Sequence, residues 1–225
     1  MIPRKLSKQA LALSPSSTTL ASPTAASSSL PASLADPSLP LPRLIVFDLD
    51  YTLWPFWVDT HVTPPLKPNA QHSAATDRCG EDFAFYGDVP AILQTLPQAG
   101  GGGANRIKLG VASRTSAPGL ARDLLKMLHL PPANEGDKAR RALDVFDGGM
   151  EIYPGSKIRH FETLQKRTGV RFEDMLFFDD ESRNQETERL GLTMRLVRDG
   201  VTWDEVELGV EEWRRRRGYG RREGS

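Results

Sequence analysis

Four short segments of the sequence carry side chains able to do chemistry together. Asp48 and Asp50 follow directly on the apolar run Leu44-Ile45-Val46-Phe47. A strand that ends at Asp48 lets Asp50 turn back over the same place. Two carboxylates so close repel unless a cation or a shared proton intervenes, so the pair reads as a metal site or as an acid/base pair. The same spacing also serves as turn or helix capping. Ser113, Arg114 and Thr115 follow Val111-Ala112. A hydroxyl and a guanidinium at a strand-to-helix junction suit a phosphate, although Ser and Thr there are also common N-caps. Gly155-Ser156-Lys157 sets a cation at a helix start, where it opposes the helix dipole unless an anion binds nearby. Taken alone, such a lysine is a solvated charge. Phe177-Phe178-Asp179-Asp180-Glu181 is a second apolar run ending in acids, whose hard oxygens favour Mg²⁺.

The elements that must hold these groups are legible in the apolar pattern. Leu44 to Phe47 reads as a buried parallel strand. Residues 51–85, with Pro55, Pro64, Pro65 and Pro68, read as a loop with a short hairpin. Asp88 as N-cap and Pro90 in the first turn predict a helix through Leu96. The glycine run 100–103 breaks the chain before a strand at 107–112. Leu120, Leu124, Leu125 and Leu128 have helical spacing within 119–128. Residues 131–141 read as a polar loop, 145–152 as a strand, and 157–167 as a helix with Ile158, Phe161 and Leu164 on one face. A buried strand at 175–178, a helix to Leu190, a strand at 194–197 and a helix at 205–216 follow. Strands alternating with helices predict an α/β fold with a largely parallel sheet, which binds ligands at the carboxyl ends of its strands.

The bulk properties narrow the function class. The 225 residues suit one domain, and 39% hydrophobic with 26% charged residues is ordinary for a globular protein. A formal net charge of +0 gives no general pull toward nucleic acid. The single cysteine, Cys79, has no partner for an internal disulfide. No apolar run approaches the roughly 20 residues a membrane helix needs. Residues 1–42 are rich in Ser, Ala, Pro, Thr and Leu and lack a structural period, so they are expected to be disordered. Arg4, Lys5 and Lys8 among serines give the segment a transit-peptide flavour, but its prolines argue against an amphipathic helix. A cytoplasmic monomer, with its domain at 43–217 and a flexible basic tail at 218–225, is the expectation. The basic run 214–217 reads as a solvated helix end whose cations suit the dipole.

Taken in order, Asp-x-Asp, Ser, Lys and Asp-Asp on alternating strands resemble the haloacid dehalogenase-like (HAD) phosphatase superfamily. Phe47 to Val62, Ser113-Arg114-Thr115, Glu151 to Lys157 and Phe177 to Glu181 resemble more closely the magnesium-dependent phosphatase family within it. The resemblance covers roughly 43–197, and the stretches 98–105 and 131–141 look like insertions. It implies a Rossmann-like HAD core without a large cap domain, and Mg²⁺ as cofactor. It implies Asp48 as a nucleophile that forms an aspartyl phosphate, and Asp50 as the general acid and then base. It implies Mg²⁺ held by the Asp48 carboxylate, the Asp50 carbonyl and one acid of the 179–180 pair. The phosphate would be bound by Ser113, Arg114, Lys157 and the loop amides beginning at Leu49. Consecutive strand side chains point oppositely, so one acid is expected on the metal and the other beneath it. Similarity to capless phosphatases points to Asp180 as the ligand, with Asp179 orienting Lys157 or a metal-bound water. The expected partner is a phosphorylated small molecule or phosphoprotein, of phosphotyrosine or sugar-phosphate (fructosamine phosphate) type. Trp54, Phe56 and Trp57 either stack on such a ring or pack in the core, with core packing expected for at least two. A haloacid dehalogenase has no need of an acid at Asp50, and a response-regulator receiver carries its acidic pair first in the chain. A non-catalytic HAD-like phosphate-binding protein is the alternative; it would be expected to lack one of these groups, and none is missing.

Overall fold

The computed structural model describes residues 30–99, 106–134 and 136–219. Residues 1–29 and 220–225, and the glycine run inside the expected insertion at 98–105, lie outside the described residues. In chain order the elements are α1 (Ala32–Ala35), β1 (Leu44–Phe47), α2 (Val58–His61), β2 (Lys67–Pro68), β3 (Ala75–Thr76), β4 (Asp82–Phe83) and α3 (Val89–Thr95). They continue with β5 (Lys108–Ser113), α4 (Pro118–Met127), β6 (His129–Leu130), β7 (Arg140–Arg141), β8 (Gly149–Ile152), α5 (Lys157–Thr168), β9 (Met175–Asp179), β10 (Thr193–Leu196) and α6 (Trp203–Arg216).

The main sheet has the order β10-β9-β1-β5-β8, and every neighbouring pair is parallel. The central strand β1 is buried at all four residues because both faces of the sheet are covered. Ile45 and Phe47 point into the larger core layer with Ile92, Leu124 and Val210 from α3, α4 and α6. Leu44 and Val46 point the other way, against Phe161 and Leu164 of α5. Helix α6 approaches the sheet closely at Gly209, where an added Cβ would stand 2.8 Å from the Phe178 ring. From β1 the chain winds outward through β5 and β8, then crosses back to β9 on the other flank. The winding reverses at β1, so the carboxyl ends of β9, β1 and β5 open a crevice there. The result is the expected α/β fold, and among the described residues the insertions are too small to form a large cap.

Several expectations need correction. Residues 51–85 hold a short helix and a three-stranded antiparallel sheet, β2-β3-β4, rather than a hairpin. Two-residue strands carry no detectable period, and Asp77 ties this segment together by accepting the N–H groups of Thr63, Cys79 and Glu81. The polar loop at 131–141 closes as a hairpin, with β7 pairing β6 and Arg140 Nε donating to the buried Gln94. Residues 142–145 form a 3₁₀ turn, so that strand begins only at Gly149. The helix expected to end at Leu190 is a nine-residue 3₁₀ helix, Ser182–Leu190. Asp88 does not cap its own helix; its carboxylate accepts the N–H of Trp203, at the start of α6.

Packing also begins before the boundary expected at Pro42. Leu34 is 1% exposed and belongs to the main core. Arg214, expected to be solvated, is buried and donates to the carbonyls of Pro40 and Ser33 at 2.9 and 3.0 Å. Arg215 and Arg216 pair with Glu212, and Arg217 donates to the carbonyls of Glu173 and Gly191. At 218–219, Tyr219 lies against the Trp213 ring at 5.8 Å. Among the described residues no helix is long and apolar enough to cross a membrane.

Candidate active site

Strand geometry delivers Asp48 to the crevice. Its N–H continues the sheet by donating to Phe178 O at 2.9 Å. The next residues turn sharply: Leu49 O accepts from Thr52, Leu53 and Trp54 N–H, and Tyr51 sits in the left-handed region at φ 52°. The turn buries the Leu49 side chain, sets the Leu49 N–H against the Asp48 carboxyl, and brings Asp50 back to the cleft. Asp50 Oδ1 accepts from Trp54 Nε1 at 2.8 Å and Val58 N at 3.2 Å, which fixes its rotamer. Burial raises its carboxyl to about 6 against the pull of those two hydrogen bonds, a value suited to an acid that gives and takes a proton near neutral pH.

Beneath the cleft floor lies Lys157, the first residue of α5. It is 0% exposed, so the reading of a solvated charge does not hold. Ser156 caps the helix by accepting the Ile158 N–H, and Lys157 extends away from the helix end toward the strand ends. Its Nζ donates to Ala112 O and lies 2.9 Å from Asp179 Oδ2 and 3.0 Å from Asp48 Oδ1. The two carboxylates outweigh the burial of the ammonium and hold its pKa above the ordinary lysine range. Burial pushes the Asp48 carboxyl upward, and Lys157 opposes this. The Lys157 ammonium is the side-chain partner of Asp48 Oδ1, an ion pair at 3.0 Å.

The acid pair divides by environment. Asp179 is wholly buried, and both its oxygens are engaged: Oδ1 by Glu181 N and Asn184 Nδ2 at 2.7 and 2.9 Å, Oδ2 by Asn184 Nδ2 and Lys157 at 2.9 Å each. Asp180 is only partly buried and lines the cleft; burial and then the neighbouring Asp179 raise its carboxyl to about 6. One carboxylate oxygen from each of Asp48, Asp179 and Asp180 lies within 4.8 Å of the others. Hard carboxylate oxygens gathered at the strand ends in this way fit Mg²⁺.

The cleft, about 160 Å³, brings together Asp48, Asp50, Ser113, Arg114 and Asp180, with Asp179 and Lys157 directly below. Ser113 ends β5 and is 1% exposed. It is not the cap of α4, which begins only at Pro118. Trp54 and Phe56 are core residues stacked at 5.3 Å, whereas Trp57 is 50% exposed at the rim, edge-on to Tyr51. Sequence reasoning missed Asp59, whose carboxylate accepts Ser116 N at 3.0 Å and Ser116 Oγ at 2.7 Å and so ties α2 to the loop after β5. It also missed Asn184, a buried amide in the first turn after the acid pair. A short polar residue four positions past Asp180 was the available signal.

The acid phosphatase family model matches residues 40–216. The chain is 42% identical over 177 residues to Magnesium-dependent phosphatase 1 of Homo sapiens, covering 76% of this chain and 86% of that protein. It is 41% identical over 157 residues to a HAD-like hydrolase superfamily protein of Schizosaccharomyces pombe, covering 69% of this chain and 86% of that relative.

Proposed function

This chain belongs to the acid phosphatase family, as a magnesium-dependent phosphatase of the HAD-like superfamily, and on that premise we propose that it hydrolyses phosphomonoesters through an aspartyl phosphate on Asp48. The observation that carries the reading is the Asp48 carboxylate itself: at the end of the central strand, facing the cleft, with one oxygen paired only to a buried lysine. Asp48, Asp180 and the Asp50 carbonyl would hold Mg²⁺, which neutralises the repulsion between an anionic nucleophile and an anionic phosphate when bound.

An Asp48 oxygen forms the bond to phosphorus as the bond from phosphorus to the leaving oxygen breaks. Asp50, placed within the same cleft, gives its proton to that oxygen. In the second half, Asp50 takes a proton from water as the water oxygen attacks phosphorus, and the Asp48–phosphorus bond breaks to return the carboxylate. Ser113, Arg114 and the Leu49 N–H hold the equatorial oxygens, and Lys157, buried beneath Asp48 and engaged by Ala112 O, Asp179 and Asp48, supplies its positive charge from below. Asp179 acts from below by keeping Lys157 charged and in place. The open cleft and the exposed ring of Trp57 support a phosphotyrosine-type or sugar-phosphate leaving group, which could stack there.

Mg²⁺-dependent hydrolysis of p-nitrophenyl phosphate tests the reading. The wild type is expected to turn over, and Asp48→Asn, checked by circular dichroism for its fold, is expected to be inactive. Substantial turnover by a folded Asp48→Asn protein would refute the nucleophile assignment. Phosphate binding without turnover in the wild type would favour a phosphate-binding interaction protein instead.

A further inference from the structure

Two charged groups on different strands are joined by one buried amide that the proposed chemistry leaves unused. Asn184 is 1% exposed. Its Nδ2 donates to both oxygens of Asp179 at 2.9 Å and reaches Glu181 Oε2 at 3.3 Å. Its Oδ1 accepts from Arg114 Nη1 at 3.4 Å. The backbone of Asn184 is held as well, its N–H by Glu181 O at 3.0 Å and its C=O by the Thr187 hydroxyl at 2.8 Å. A planar amide offers donors on one side and an acceptor on the other. A carboxylate in its place would repel Asp179, and a cation would repel Arg114. The orientation of the amide follows from the same partners, since the reverse would set its NH₂ against a guanidinium and its oxygen against a carboxylate.

Arg114 leaves the end of β5 and Asp179 ends β9, and these strands lie on opposite flanks of β1 without pairing to each other. We infer that Asn184 is a positioning residue for the phosphatase reaction, a strut that sets the Arg114 guanidinium in the cleft at a fixed distance from the Asp179–Lys157 pair. Asn184 does not touch the phosphate; it acts through Arg114. The inference rests on the proposed grip of Arg114 on the phosphate. A guanidinium without the strut samples other rotamers, and the ordering it then requires on binding weakens the capture of phosphate.

A double-mutant cycle on p-nitrophenyl phosphate at saturating Mg²⁺ tests it, with inhibition by inorganic phosphate as a second readout. Asn184→Ala is expected to raise KM about fivefold, the scale of one ordinary hydrogen bond, since the contact is long at 3.4 Å. Arg114→Ala is expected to raise KM further, and adding Asn184→Ala to it to change KM by less than about twofold, because the strut then has nothing to hold. The inhibition constant of inorganic phosphate is expected to follow the same pattern. KM effects that multiply in the double variant, or a folded Asn184→Ala protein with wild-type KM, overturn the inference. Should Asn184→Ala not fold, Asn184→Ser carries the test, keeping a small polar group in the buried position without the oxygen that meets Arg114. Its KM is expected to rise as for alanine, and a wild-type KM in folded Asn184→Ser also overturns the inference. Asp48→Asn, run alongside, separates the two claims. An inactive Asp48→Asn with multiplying KM effects removes only the strut, whereas an active Asp48→Asn removes the proposed function beneath it.

Discussion

Asp179 and Asp180 meet different surroundings at the end of β9, and substitutions at the two should therefore separate stability from metal use. Asp179→Ala leaves the buried Lys157 with Asp48 as its remaining carboxylate and strips Glu181 N and Asn184 Nδ2 of an acceptor, at a cost of about 1–3 kcal/mol for buried donors left unsatisfied. Urea denaturation without Mg²⁺ should show that loss for Asp179→Ala and little change for Asp180→Ala. In Mg²⁺ titrations of activity, Asp180→Ala should shift the half-saturating concentration more than Asp179→Ala; the reverse order would exchange their roles. Asp50→Asn keeps an oxygen to accept the Trp54 and Val58 N–H groups, so the fold should persist. Its turnover should fall by roughly two to four orders of magnitude, the usual share of general acid–base catalysis. Alkyl phosphates should suffer more than nitrophenyl phosphate, because a poor leaving group needs the proton more; equal losses would make Asp50 structural. At this scale Asp48, Asp50, Ser113 and the acid pair stood out because each interrupts or follows an apolar run, whereas Lys157, behind Tyr153-Pro154-Gly155-Ser156, read alone as a solvated charge and stood out only through the family resemblance. Asn184 and Asp59 did not, since their meaning lies in partners 70 and 57 residues away.

Elements were legible in proportion to their length and apolar content. The strands β1, β5 and β9 stand within a residue or two of their expected places because two packed layers demand continuous apolar runs. The two-residue strands β2 to β4 and the hairpin β6–β7 had no such signal; side-chain hydrogen bonds specify them instead. Asp88 shows how a local rule can find the right residue and the wrong element. It precedes α3 as an N-cap would, yet its carboxylate serves the N-terminus of α6, where Thr202 caps the Glu205 N–H. Asp88→Ala should accordingly lower stability by about 1 kcal/mol, the usual cost of a lost cap. Denaturant midpoints would register it while kcat stays at the wild-type level; a wild-type midpoint would mean that the contact with Trp203 contributes nothing.

For the whole molecule, the principal misreading was the boundary at Pro42. The composition of 30–42 is that of a chain unable to bury a core by itself, and the partner that covers it, α6, lies some 170 residues further on. Leu34→Ala should cost about 2–5 kcal/mol, as a buried leucine does, and deletion of 30–42 should cost at least as much. Unchanged melting of the Leu34→Ala protein would show that the segment contributes no core. Around that core, three strand ends hold one set of charges whose proposed purpose is to make and break a bond from Asp48 to phosphorus. The most direct measurement is acid quench of Asp50→Asn mixed with Mg²⁺ and nitrophenyl [³²P]phosphate, a substrate that phosphorylates without needing the acid while the missing base lets the intermediate build up. Label should appear on the peptide containing Asp48, require Mg²⁺, be released by hydroxylamine, and be absent when Asp48 is also changed to Asn. Release of nitrophenol with no protein-bound label, or label on a peptide without Asp48, would contradict the account.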